Sequence, residues 1–243
     1  HHLSETIRNV NKKNNHIIDP NAKSAARVVY DHFGGAKTFP ARWNTMMEEV
    51  DKADAAQFSV EEILEPKGWV LLNYLMDPRT GLGRFRNFRI SNYNLMMDLI
   101  DYCKDHDIDD IMKMPDVVER VELYHDQTER FKEQVKRCSS VHKNLIILNL
   151  KGEDVIYAGN RFMIYALFPQ CNISMHVLWG LKQQNTVFAI GKSIIDRSSK
   201  TKIGEHCLKY GGGGHDNAGT CQIENERADA VMKELIEKIN ADG

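Results

Sequence analysis

The spacing of apolar positions changes near residue 144. Before it, apolar residues recur every three or four positions in several blocks, the mark of helices that bury one face. Residues 21–35, NAKSAARVVYDHFGG, offer Asn21 as an N-cap and Gly34-Gly35 as a stop. A second helix is predicted over 41–58, after Pro40, and a third over 92–103. From Pro115 to Arg137, the residues Val117, Val118, Val121, Tyr124, Thr128, Phe131 and Val135 keep helical spacing, predicting one long amphipathic connector. Beyond Asn144 the pattern shortens into runs rich in branched residues: NLIILNL, ISMHVLWGL and NTVFAIGKS read as strands, with NRFMIYALF as a helix between strands. IGEHCLKY reads as a short helix, AGTCQI as a strand and NERADAVMKELIEKI, with Asn225 near its start, as a closing helix. The expectation is an α/β chain of two domains: a mostly helical part over 1–114, a connecting helix over 115–143, and a smaller mixed-sheet domain over 144–243.

Composition narrows the classes. A chain of 243 residues with 42% hydrophobic and 27% charged residues can bury a core, and a formal charge of -2 excludes a globally basic nucleic-acid binder. A polyanion must therefore meet a local cluster of cations. Five scattered cysteines without a CxxC pair argue against a disulfide framework or a zinc knuckle and fit a cytoplasmic protein. No apolar run is long enough to cross a bilayer and no signal segment opens the chain, so no membrane partner is expected.

One stretch resists a bland reading. KYGGGGHDNAG, 209–219, places Gly211, Gly212, Gly213 and Gly214 directly before His215. Glycine loses more backbone entropy on folding than any other residue, so such a run needs compensation. Successive glycine amides can turn into one concavity that binds an anion, with His215 at its rim; the alternative is a plain flexible hairpin loop. The neighbouring His215, Asn217 and Gly219 favour the phosphate cradle.

GGGGHDNAG resembles the GGGGH-x-x-AG signature of the DHH-associated C-terminal domain in the DHH phosphoesterase superfamily, named for an Asp-His-His motif. The upstream GKSIIDRSSKTKIGEHCLKY is similar to the segment that leads into that loop, including a substrate-contacting arginine, here Arg197. The resemblance spans essentially the whole chain. It implies that His1 and His2, which by themselves look like the remnant of a purification tag, are the two histidines of the motif, because IIDPNAKSAARVVY follows in the family's order. The motif's aspartate would then stand just before residue 1, and the N-terminal DHH domain would be incomplete, represented mostly by its helices. The family's earlier aspartates, which supply most ligands to a pair of divalent metals, would also lie outside these residues, and half a site binds metal poorly.

The resemblance further implies a metal-ligand aspartate in EEVDKADAAQF. Asp51 and Asp54 are three apart, so on a helix they share a face, which by itself fits a solvated acidic surface. Asp54 is the expected ligand and Asp51 the reserve. His1 is expected to bind metal and His2 to face the scissile phosphate, with two Mn2+ ions, or Mg2+, as cofactor. DPRTGLGRFRNFRISNYN, 77–94, adds Arg79, Arg84, Arg86 and Arg89 interleaved with Phe85 and Phe88, for phosphate and base contact or as an ordinary basic loop. Arg161, in GNRF, is a further phosphate candidate, while the acids of DHDIDD, 105–110, read as charge at a helix start.

The implied function is a manganese-dependent phosphoesterase that hydrolyses short single-stranded oligonucleotides or cyclic nucleotides, with metals on the first domain and Arg197, Gly211 to Gly214 and His215 gripping the substrate from the second. An exopolyphosphatase is the first alternative, and a non-catalytic nucleotide- or RNA-binding module the second. A homodimer is expected from the family.

Overall fold

The computed structural model describes residues 17–85 and 87–243. Its first half is helical: α1 (Ala25–His32), α2 (Arg42–Asp54), α3 (Val60–Leu64), α4 (Gly68–Met76), α5 (Asn92–Tyr102), α6 (Ile108–Ile111) and α7 (Pro115–Arg137). Ser24, not Asn21, caps α1, its hydroxyl accepting from the Arg27 amide. Asn21 instead lies in a turn, its amide donating to Asp19 Oδ1 and the Ala22 amide to the Asp19 carbonyl, so the helix starts only after Ser24. α2 ends at Asp54 rather than 58, since Ala56 takes a left-handed φ of 50°. The acids of DHDIDD do stand at a helix start, with Asp107 as N-cap of α6 and Asp109 and Asp110 in its first turn.

Proline at the first position and Lys136 and Arg137 in the last turn suit the two ends of α7, whose 23 residues make it about 35 Å long. Buried glutamines on α7 then organise the chain that follows: the Gln127 side chain accepts from the Ala158 amide at 2.7 Å, and Gln134 accepts from Tyr157 and donates to the Val155 carbonyl.

The second half is a mixed sheet of six strands, β1 (Ser139–His142), β2 (Leu145–Asn149), β3 (Ile173–Trp179), β4 (Thr186–Lys192), β5 (Gly213–His215) and β6 (Ala218–Ile223), in the order β1-β2-β3-β4-β6-β5. Only β2 and β3 run parallel, with Leu145 opposite Ile173; α8 (Met163–Leu167) lies in their crossover. α9 (Ile203–Leu208) precedes β5, and α10 (Asn225–Asp242) closes the chain.

Both sheet faces are buried, which is why LIIL is a continuous apolar run. Leu145, Ile147, Ile173, Met175 and Val177 face α9 and α10 through Ile203, Cys207, Val231 and Leu235. Ile146 and Leu148 face the other way, into a cluster with Phe58, Ile63, Tyr74, Val135 and Phe162. That second cluster draws on α3, α4 and α7 as well as the sheet, so it joins the two halves. A third core, centred on Leu75, Leu95, Ile111 and Tyr124, belongs to the helical half.

Candidate functional site

The glycine run forms a helix cap and a hairpin strand. The Gly211 and Gly212 amides donate to the carbonyls of Leu208 and Cys207, terminating α9. Gly213, Gly214 and His215 then pair with Thr220, Gly219 and Ala218 of β6. The need for glycine is steric: a Cβ on Gly212 would stand 2.1 Å from the Thr220 carbonyl oxygen, and one on Gly214, at φ 153°, 2.3 Å from that of Ala218. The expected cradle of four successive amides is therefore corrected. Two of the four are spent on α9, and only the outer side of β5, an exposed edge strand, presents main-chain groups to solvent. His215 accepts the Asn217 amide at Nδ1 (3.2 Å), which places the neutral ring's proton on Nε2.

Bonds lead from this hairpin to the helical half. The Lys192 amide donates to the Asn217 carbonyl at its turn (2.9 Å), and the Ser193 hydroxyl then accepts the Ile195 and Asp196 amides, curling the chain towards Arg197. Arg197 donates through Nε to the Ile194 carbonyl and through Nη2 to the Ala56 carbonyl at 2.9 Å, just past Asp54. Asn160 grips the same stretch further on, its amide donating to the Ile63 carbonyl at 3.1 Å. The segment carrying Asp54 is thus held by the C-terminal half at two points.

Asp54 is exposed at the end of α2. Asp51 is buried, and both of its oxygens are engaged: Oδ1 accepts from the Ser24 hydroxyl at 2.6 Å, and Oδ2 accepts from Arg27 Nε at 2.9 Å and Nη2 at 2.8 Å. A divalent cation there would meet the Arg27 charge directly, so Asp51 ties α1 to α2 and does not serve as a reserve metal ligand. His1, His2 and Arg86 lie outside the described residues. Among the described residues, no group of three or more His, Cys, Asp or Glu is placed to hold a metal, so these residues alone do not complete the expected site.

The arginine-rich stretch divides by role. Arg89 pairs with Asp116 through Nε at 3.0 Å, and Phe85, Phe88 and Ile90 pack against the third core. Arg120, fully buried, donates to Asn92 and to the carbonyls of Asp116 and Ile90, and lies 4.1 Å from the Phe88 ring centroid. Phe88 is therefore covered by a guanidinium rather than open to a base. Arg84 is different: its guanidinium makes no hydrogen bond or ion pair among the described residues and folds back over Gly81, where burial lowers its pKa.

Asp77, which the sequence reading did not single out, anchors the remaining charges. Arg79 donates to it from Nε at 2.7 and 3.1 Å and from Nη2 at 2.8 Å. Arg161 approaches at 3.5 Å. Burial by itself would raise the Asp77 pKa, but the Arg79 hydrogen bonds and the two positive charges hold it below the usual carboxylate range. The available signal was the Asp-Pro pair at 77–78 opening a basic loop.

An α/β chain of two domains, with a glycine hairpin and an arginine segment reaching the helical half, is the architecture of a phosphoesterase of the DHH type. Its fold matches that of a pGpG-specific phosphodiesterase, PggH, from Vibrio cholerae, with a TM-score of 0.84 and 65% identity over 94% of this chain and 77% of that one. The chain belongs to the DHH phosphoesterase superfamily. Two further solved structures are more distant: an exopolyphosphatase-related protein from Bacteroides fragilis (TM-score 0.41, 16% identity, 80% of this chain and 56% of that one) and a DHH domain of an s1p-family ribosomal protein (TM-score 0.42, 13% identity, 78% and 45%). No family model and no curated protein matches the sequence.

Proposed function

We propose that this chain is a metal-dependent phosphodiesterase acting on a short oligonucleotide of the pGpG kind. The observation that carries the reading is its 65% identity, over 94% of its length, with a protein described as a pGpG-specific phosphodiesterase. The geometry supports it in outline, since Arg197 is hydrogen-bonded to the Ala56 carbonyl beside Asp54, and the glycine hairpin is bonded to Lys192 at the start of the segment that leads to Arg197.

In this reading His1 and Asp54 are metal ligands, His2 faces the scissile phosphate, and Mn2+ is preferred with Mg2+ as substitute. Bound divalent cations would activate the attacking water and stabilise charge on the phosphoryl oxygens. Asp54 is the one candidate ligand among the described residues, so its role is to offer a carboxylate at the surface, held in place by the Arg197 bond to Ala56. His215 Nε2–H and the outer side of β5 are proposed to meet the nucleotide's phosphate, with Arg197 Nη1 as an additional donor. A cytoplasmic location goes with five cysteines that form no disulfide.

The test is turnover by the full-length protein with Mn2+ on pGpG and, separately, on tripolyphosphate. Release of GMP supports the proposal. Orthophosphate released from tripolyphosphate alone would make the protein an exopolyphosphatase, and tight pGpG binding without turnover would make it a binding module. Chelation should abolish turnover, and a full rate in excess EDTA would rule out the metal.

A further inference from the structure

We infer that Cys207 and Cys221 form a redox-active dithiol beneath the glycine hairpin, which hydrogen peroxide converts to a disulfide that displaces the hairpin and weakens substrate capture. The effect on activity rests on the phosphodiesterase reading; the thiol chemistry does not.

Both side chains are sealed in the core between the sheet and the helices α9 and α10, Cys207 on α9 and Cys221 on β6. The Cys207 thiol hydrogen-bonds to the Cys221 sulfur. The main chain shows why they meet. Gly219 and Cys221 stand two apart on β6 and so share a face, and Cys207 Sγ lies 2.8 Å from where a Gly219 Cβ would be. Gly212, whose amide donates to the Cys207 carbonyl at 3.0 Å, would place a Cβ 2.7 Å from the Cys221 Cβ. Two glycines of the motif therefore make the room that the pair occupies.

The two sulfurs are not equivalent. A hydrogen bond from the Cys207 thiol stabilises the Cys221 thiolate and lowers its pKa against the effect of burial, while the same bond and then burial raise that of Cys207. Cys221 is thus the nucleophile and Cys207 the resolving thiol. The Cys221 thiolate attacks one peroxide oxygen, the O–O bond breaks, and the departing hydroxide takes up the Cys221 proton to leave as water. Cys207 then attacks the resulting sulfenic sulfur, and the second hydroxide leaves as water with the Cys207 proton. Two thiols and one peroxide give one disulfide and two waters. Access is through the hairpin, because β5 is an exposed edge strand of glycines, and local opening of such an edge uncovers the sulfurs to a molecule as small as peroxide.

Hydrogen-bonded sulfurs must close to about 2.05 Å to form the bond, which draws α9 towards β6. The helix cannot move alone. A Cβ on Gly204 of α9 would stand 2.7 Å from the Gly214 carbonyl carbon and 2.8 Å from the His215 nitrogen, so the helix and strand backbones already touch. The ring closed by a 207–221 disulfide also encloses the whole glycine run together with His215, Asn217 and Gly219. His215, whose Nε2–H is proposed to meet the phosphate, shifts with it. A disulfide that forms only under oxidant suits a pair that is reduced at rest.

The experiment treats the full-length protein with hydrogen peroxide, blocks remaining thiols and maps peptides by mass spectrometry. A linked peptide joining Cys207 to Cys221 is expected, and dithiothreitol should release it. The KM for pGpG should rise about tenfold on oxidation with kcat little changed, and reduction should restore it. Cys207→Ala and Cys221→Ala should hold their KM through the same treatment, while Cys103→Ala should respond as the wild type does. Absence of the linked peptide, a linked peptide with KM unchanged, or a full response in Cys207→Ala would overturn the switch. If the variants do not fold, the wild-type peptide map and KM decide. If the wild type does not cleave pGpG, the phosphodiesterase reading fails, and the switch is judged by the linked peptide and by amide exchange. Slower exchange across β5 and β6 on oxidation would sustain it; unchanged exchange would end it.

Discussion

At the scale of single residues, two aspartates three positions apart do different work because one of them is buried. Asp51 holds α1 to α2 through Ser24 and Arg27, whereas Asp54 is exposed. Asp51→Ala would leave half-buried Arg27 with only the long 4.0 Å pair to exposed Asp31, and a stability loss of roughly 2–4 kcal/mol is expected in urea unfolding. Their spacing could place both on one helix face, but not say which faced Arg27, a partner 24 residues away. His176 gives a pH test. Its pKa is depressed from 6.5 to about 4 in the folded protein, so the unfolded chain takes up a proton first as pH falls. Stability from this group is complete above about pH 6.5 and drains away towards pH 4; His176→Gln should flatten that part of the urea-midpoint profile.

At the scale of elements, the clearest patterns were those with one buried face. The connector helix was legible from its start, because its apolar positions keep one period and its first residue is proline, but its expected extent to 143 was too long: the helix ends at Arg137, and Ser139–His142 form β1. α4 was missed, since Val70, Leu71, Leu72, Tyr74 and Leu75 are buried on more than one side and show no amphipathic stripe. β5 was missed for the opposite reason: a strand of glycines carries no side-chain pattern, and its pairing is written in the positions where β6 leaves no room. Gly214→Ala therefore tests the hairpin. The added methyl at φ 153° meets the Ala218 carbonyl, and a cost of roughly 1–3 kcal/mol is expected, with faster amide exchange confined to β5 and β6. Arg120→Met should act on another element, freeing the loop at 87–92 that two of its three hydrogen bonds, to Asn92 and the Ile90 carbonyl, hold. Proteolysis at that loop should rise before global unfolding.

At the scale of the whole molecule, two halves share a buried cluster and are laced by Arg197 at Ala56 and Asn160 at Ile63. Neither bond was foreseeable from the chain, because each joins groups about a hundred residues or more apart and ends on a main-chain carbonyl that has no sequence signature. The glycine motif and its resemblance did carry the family, and with it the expectation that both halves meet one substrate. Division of labour between them is the central claim, and His215→Ala tests it most directly. Affinities for Mn2+ and for a non-hydrolysable pGpG phosphorothioate should be measured side by side on the full-length wild type and variant. The dinucleotide should bind about tenfold more weakly while Mn2+ affinity is retained. Equal loss of both, or no loss of either, would contradict the assignment of metal and substrate to different halves.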